Sequence, residues 1–174
     1  QIKTDFPWQG NLIGKDDIVI PPFTPMTVKG DTVSAVLREH MLAGNGLWGQ
    51  VKAEGRAILV GPMRIEVVRG GQVEEAKGSA KVAASKATEV STKAEWATKA
   101  VKGQTQMAGE YDGCAKVTIS FEPADDQPID AMRLVIPLAD KEMPLMHAAG
   151  DGIRFNYAGK VPPGEGRVWS SDKA

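Results

Sequence analysis

The chain has a single cysteine, Cys114, so no internal disulfide can staple it. A reducing compartment fits that usage, and so does a bacterial envelope protein that uses no disulfides. The two histidines, His40 and His147, are far apart, and neither sits in a metal-ligand spacing. No metal site is expected. Charge of either sign is not in excess: 21 Lys and Arg stand against 22 Asp and Glu. With no long like-charge run, there is no electrostatic footprint for nucleic acid or an anionic membrane surface. No apolar run approaches the roughly 18 residues of a spanning helix. A nucleophile elbow, a glycine-rich strand-to-helix loop and a phosphate-cradling P-loop are all lacking, so neither nucleophilic catalysis nor a nucleotide cofactor is indicated. The sequence opens at Gln1 with no basic-then-apolar leader, as a mature or trimmed chain would.

What the chain has in quantity is turn chemistry. A compact fold of 174 residues buries roughly 70% of its unfolded-chain surface, and one domain over residues 1–174 is expected. Residues 1–17 are irregular, and Asp16-Asp17 reads as an Asx-type turn ahead of a short strand, Ile18 to Ile20. The Pro21-Pro22-Phe23-Thr24-Pro25 run is extended and cannot donate to a ladder at its prolines. Strands are then expected at Met26 to Lys29, Thr32 to Met41, Trp48 to Ala53 and Arg56 to Val60, with turns at Gly30-Asp31, Asn45-Gly46 and Glu54-Gly55. Met63 to Arg69 and Gln72 to Lys77 flank Gly70-Gly71, and a two-residue loop sets Val68 opposite Val73.

Residues 79–102 carry two periods. Ala83, Ala87, Val90, Ala94, Ala97 and Val101 form a helical stripe, while Val82, Ala84, Thr88, Val90, Thr92, Ala94 and Trp96 alternate as in a strand. Without a capping box, and inside a run of hairpins, two strands near 80–85 and 88–100 are expected.

The clearest local pattern is Gly103 to Glu122. Ala115, Val117, Ile119 and Phe121 fall on one face, and Lys116, Thr118, Ser120 and Glu122 on the other. A two-residue turn at Asp112-Gly113 would set that apolar face against Glu110, Ala108, Gln106 and Gln104. A bulge or three-residue loop shifts the register by one and brings Tyr111, Met107 and Thr105 to the apolar side instead. Ile129 to Leu138 is a further strand. The Gly- and Pro-rich tail from Met146, with a segment Ile153 to Tyr157, reads as a chain leaving the domain. The fold class is all-β: an antiparallel β-sandwich of hairpins with irregular ends.

Candidate chemistry is sparse. The carboxylate pairs are Glu74-Glu75, Asp125-Asp126, and Glu110 with Asp112, all explicable as solvated or capping groups. Cys114 and His40 read as edge and strand residues. No catalytic residue is assigned. Trp48, Trp96, Tyr157 and Trp169 are the candidates for stacking on sugar faces, although core packing is the commoner use of such rings.

The order of segments resembles a known family. The carriers are Gly10 to Met26 (GNLIGKDDIVIPPFTPM), Leu59 to Ile65 (LVGPMRI), Glu110-Tyr111-Asp112-Gly113, Ile129 to Leu138, and Pro163 to Ser171 (PGEGRVWSS). Together they look like the N-terminal β-sandwich of glycoside hydrolase family 123-like proteins. The resemblance implies a (β/α)8 barrel elsewhere in the same polypeptide. That barrel carries an adjacent Asp-Glu pair acting on N-acetylgalactosaminides, and no Asp-Glu dipeptide occurs here. The implied role is therefore a non-catalytic accessory domain whose partner is the catalytic domain, or alternatively a carbohydrate-binding module. An exported location, periplasmic or extracellular, goes with it.

Overall fold

The computed structural model describes residues 6, 8–10, 12, 14, 16–148, 156–167 and 169–170. Fourteen strands are present among them and no helix. A five-stranded antiparallel sheet comprises β1 (Thr27–Lys29), β2 (Thr32–Ala35), β3 (Arg38–Leu42), β4 (Trp48–Ala53) and β5 (Arg56–Ala57), in chain order. A three-stranded sheet is ordered β12 (Ala131–Val135), β6 (Arg64–Arg69), β7 (Gln72–Glu75). A four-stranded sheet is ordered β11 (Ala115–Pro123), β10 (Val101–Glu110), β9 (Glu89–Ala97), β8 (Lys77–Ser85). Finally, β13 (Leu145–Ala148) and β14 (Tyr157–Lys160) pair with each other.

The first two sheets are joined by backbone bonds. Met63 N–H donates to Trp48 C=O, Val60 N–H to Pro137 C=O, and Ala139 N–H to Ile58 C=O. They thus form one layer over the inner face of the four-stranded sheet. Met26, Val33 and Ala35 pack on Val90 at one end of that sheet, and Ile65 and Val67 pack near Trp96 and Val101 at the other. Between these ends the β3–β4 turn presses inward. Asn45 is buried there; its amide donates to Met63 C=O and its carbonyl accepts Leu47 N–H. Gly46 takes φ +82 in this turn, and a Cβ there would lie 2.7 Å from the Ala94 Cβ. Ile65, Val67 and Val101 are almost fully buried, each contributing about 1.5–3 kcal/mol of burial.

The long hairpin has the shifted register. Gly109 faces Ala115, Met107 faces Val117, Thr105 faces Ile119 and Gly103 faces Phe121. Tyr111, Asp112 and Gly113 make a three-residue loop. Gly113 takes φ +90, and the Asp112 carboxylate accepts Cys114 N–H at 2.7 Å. Segment 79–102 runs along β8, turns, follows β9 to Ala97, short of the expected end at residue 100, and turns again at Thr98 into β10, while Val68 faces Val73 around Gly70-Gly71.

Four expectations need correction. Ile18 to Ile20 joins no ladder: Ile18 and Ile20 are exposed, and the segment is tied down instead through Asp17, which accepts the Thr88 hydroxyl and pairs with Lys86 at 3.6 Å. Thr32 to Met41 is two strands, not one. Val36-Leu37 turns the chain with Leu37 at φ 57, although neither residue is a usual turn former. Glu54 N–H donates to Leu37 C=O, so pairing of β3 with β4 fixes that turn from outside. Arg56 to Val60 is a two-residue strand followed by a single bridge, Leu59 to Leu138. The tail does not simply leave the domain, because Leu145–Ala148 and Tyr157–Lys160 form their own ladder; Ile153, Arg154 and Phe155 lie outside the described residues.

Candidate functional site

Exposed apolar side chains run along β12 and the segment that follows it. Leu134 shares a face with Met132, which packs on the core, yet Leu134 is 52% exposed. Ile136 and Leu138 continue the strand into solvent. Val60, 73% exposed, is bonded to Pro137 but points to the opposite face, since its neighbour Leu59 is the residue that bridges Leu138. Leu145 and Val161 are also exposed, on the β13–β14 hairpin, where Val161 N–H donates to Pro144 C=O. The approach to β12 is held rigidly. Arg69 makes a two-pronged contact with Asp125 at 2.8 and 3.0 Å and donates to Gln127 C=O, while Gly71 N–H donates to Asp130.

The four aromatic candidates are not brought together on one surface. Trp96 is 3% exposed. Its ring lies across Gly103, and its Nε1–H donates to the Thr105 hydroxyl at 3.0 Å. Beside it runs an open groove lined by Lys77, Glu95, Lys102, Gln104, Phe121 and Glu122. Trp48 is half-buried with its ring 4.8 Å from that of His40. Tyr157 is half-buried on β14, its hydroxyl donating to Lys160 C=O. Trp169 is half-buried in an irregular segment. Among the described residues the rings with most solvent exposure are others: Trp8, 67% exposed and stacked on Phe6 at 5.0 Å, and Phe121, 56% exposed. No period-two pattern distinguishes these from covered rings, because exposure depends on which sheet lies above the row.

At least one member of each carboxylate pair is engaged structurally. Glu74 accepts Lys99 N–H, Glu75 lies 4.0 Å from Arg64, and Asp112 caps the hairpin loop. The Arg69 guanidinium holds the Asp125 carboxyl below the usual range, helped by the Gln127 N–H. That is the wrong direction for a general acid. Cys114 is exposed at the start of β11. Among the described residues no three His, Cys, Asp or Glu side chains are grouped to hold a metal ion.

His40 does carry a pH dependence. It is 8% exposed, between the two layers. Burial pushes its pKa below the ordinary 6.5; Arg38 adds to the depression, and a backbone hydrogen bond to Val33 opposes it. The unfolded chain therefore binds the proton more tightly than the fold does. Stability from a neutral His40 is full above about pH 6.5 and is lost as pH falls towards the folded pKa. Urea midpoints measured between pH 7.5 and 5 should fall with pH in the native chain and fall less in His40→Gln.

The fold and its surface thus define a class: an all-β sandwich domain that has an apolar flank and, among its described residues, no assembled catalytic constellation. Residues 26–169 match the family model described as Glycoside hydrolase 123, third domain, and the chain belongs to that family. The description numbers the domain third, where the sequence resemblance had it first. A comparison with curated proteins finds no match.

Proposed function

We propose that this chain is a non-catalytic β-sandwich domain that supports the catalytic (β/α)8 barrel of the same glycoside hydrolase polypeptide by docking against it. The observation that carries the reading is the apolar row of Leu134, Ile136 and Leu138 along a braced edge. Domains that work alone rarely leave such a row uncovered, and a contiguous exposed patch marks an interaction site. Family membership supports a carbohydrate-active parent. The reading extends to an exported, periplasmic or extracellular location, supported by the role of such enzymes in polysaccharide breakdown.

The experiment is a titration of this domain into the separately produced barrel. Saturable binding is expected. Leu134→Lys combined with Ile136→Lys should weaken it at least about 30-fold, the loss of two apolar anchors at roughly 1 kcal/mol each. A second reading, direct glycan contact, is favoured by the exposed, stacked Phe6 and Trp8 rings. An N-acetylgalactosamine-containing glycan in the same titration cell reads it.

A further inference from the structure

The edge of the four-stranded sheet is a second unfilled surface, with its own chemistry. Strand β11 runs nine residues, Ala115–Pro123, as the sheet's outermost member, and among the described residues nothing pairs with its free side. Long regular edges are usually blunted. The opposite edge strand, β8, is interrupted by a bulge between Val82 and Ala84, whereas β11 pairs with β10 without a break. Much of its apolar row is also uncovered: Val117 is 41% and Phe121 56% exposed, while Ile119 between them is partly buried against the core.

The direction of the free hydrogen-bonding groups follows from the loop. Glu110 N–H donates to Cys114 C=O, so Cys114 and every second residue after it bond towards β10. Lys116, Thr118, Ser120 and Glu122 are therefore satisfied within the sheet. Ala115, Val117, Ile119 and Phe121 aim their N–H and C=O groups at the open side. Pro123, which has no N–H, closes the row.

We propose that the chain dimerises through this edge, two copies of β11 pairing antiparallel about a two-fold axis at Ile119. In that register Ile119 faces Ile119 of the other copy and Val117 faces Phe121. Each of these is a hydrogen-bonded pair made by residues whose backbone groups are free. On the polar face Thr118 meets Ser120, and Lys116 meets Glu122 twice, once on each side of the axis. Charge selects this alignment. A two-fold at Thr118 would also match the free backbone groups, but it sets Lys116 against Ser120 and Glu122 against Cys114. Neither Lys116 nor Glu122 has an ion pair among the described residues, although Glu122 stands across from Lys102. A sheet edge whose two charges repel itself guards against pairing; one whose two charges complement each other specifies it. The result is a continuous eight-stranded sheet and an isologous interface.

Sedimentation velocity over a concentration series tests this on the chain as it stands. A reversible dimer is expected. Lys116→Glu or Glu122→Lys alone converts both cross-strand pairs to like charges and should raise the dimer dissociation constant at least about tenfold. The double reversal, Lys116→Glu with Glu122→Lys, restores opposite signs and should return it to within about threefold of the native value. Both sites are exposed, so the fold is not at stake. Hydrogen exchange gives the register: amides of Val117, Ile119 and Phe121 should be slow in the dimer and fast in the Lys116→Glu variant, with Thr118 and Ser120 slow in both. A chain monomeric at millimolar concentration, single reversals without effect, a double reversal that fails to rescue, or protection on β8 in place of β11 would each overturn the proposal.

Discussion

Trp96→Ala is expected to destabilise the domain by about 3–5 kcal/mol, the cost of emptying a buried aromatic site. The indole is 3% exposed and belongs to the cluster that joins the layers, with Leu47, Ile65, Val67 and Val101 around it. Its removal also takes the Nε1–H donor from the Thr105 hydroxyl, itself 1% exposed. Total stability of a domain is only about 5–15 kcal/mol, so the variant should be marginal at 25 °C. Urea titration followed by far-ultraviolet circular dichroism reads the loss without depending on the deleted fluorophore. Trp96→Phe should cost less, because most of the volume stays filled and chiefly the Thr105 bond is lost. A fully exposed sugar-stacking ring would behave differently, since its truncation would leave stability within about 0.5 kcal/mol.

The second large effect belongs to the glycines on either side of that ring. Gly78 and Gly103 both stand opposite Trp96, one on β8 and one on β10. A Cβ at position 78 would lie 2.1 Å from the Glu95 carbonyl oxygen and 2.7 Å from the Trp96 Cα. Those are backbone atoms of a paired strand and cannot step aside. Gly78→Ala is therefore expected to cost about 3 kcal/mol, at the upper end of overpacking. A Cβ at position 103 would instead meet the Trp96 ring, 2.2 Å from Cζ2. The two clashes separate in a double-mutant cycle. Trp96→Leu should relieve Gly103→Ala and leave the Gly78→Ala cost in place, because only the first clash is with a removable side chain. Equal additivity at both positions would mean that the ring does not lie over Gly103.

Much of this architecture is legible in the chain. The alternation Ala115, Val117, Ile119, Phe121 identifies β11, and the mismatch with Gln104 and Gln106 correctly forces the three-residue loop at Tyr111 to Gly113. Gly70-Gly71 fixes the Val68–Val73 pairing because both residues take positive φ at no steric cost. The Val36-Leu37 turn is illegible, since its cause is the pairing of β3 with β4 and not its own residues. The β13–β14 ladder is hidden in a Gly- and Pro-rich stretch whose local composition reads as exit. For the site, sequence names Trp48, Trp96, Tyr157 and Trp169 but has no way to tell a ring under a second sheet from one beside it. Trp96 lies beneath the β6 layer; Phe121, two rows out on the same face, does not. The apolar flank was equally unreadable, because Leu134 and Ile136 have the same pattern as a strand that is covered.

The docking of this domain on its catalytic partner is tested most directly by calorimetric titration of the native domain and the Leu134→Lys, Ile136→Lys variant into the isolated barrel. Expected are saturable heat from the native domain, loss of that heat in the variant with unchanged thermal unfolding, and no hydrolysis of an N-acetylgalactosaminide by the domain alone. Absence of binding by the native domain, equal binding by the variant, or turnover by the domain without the barrel would contradict it.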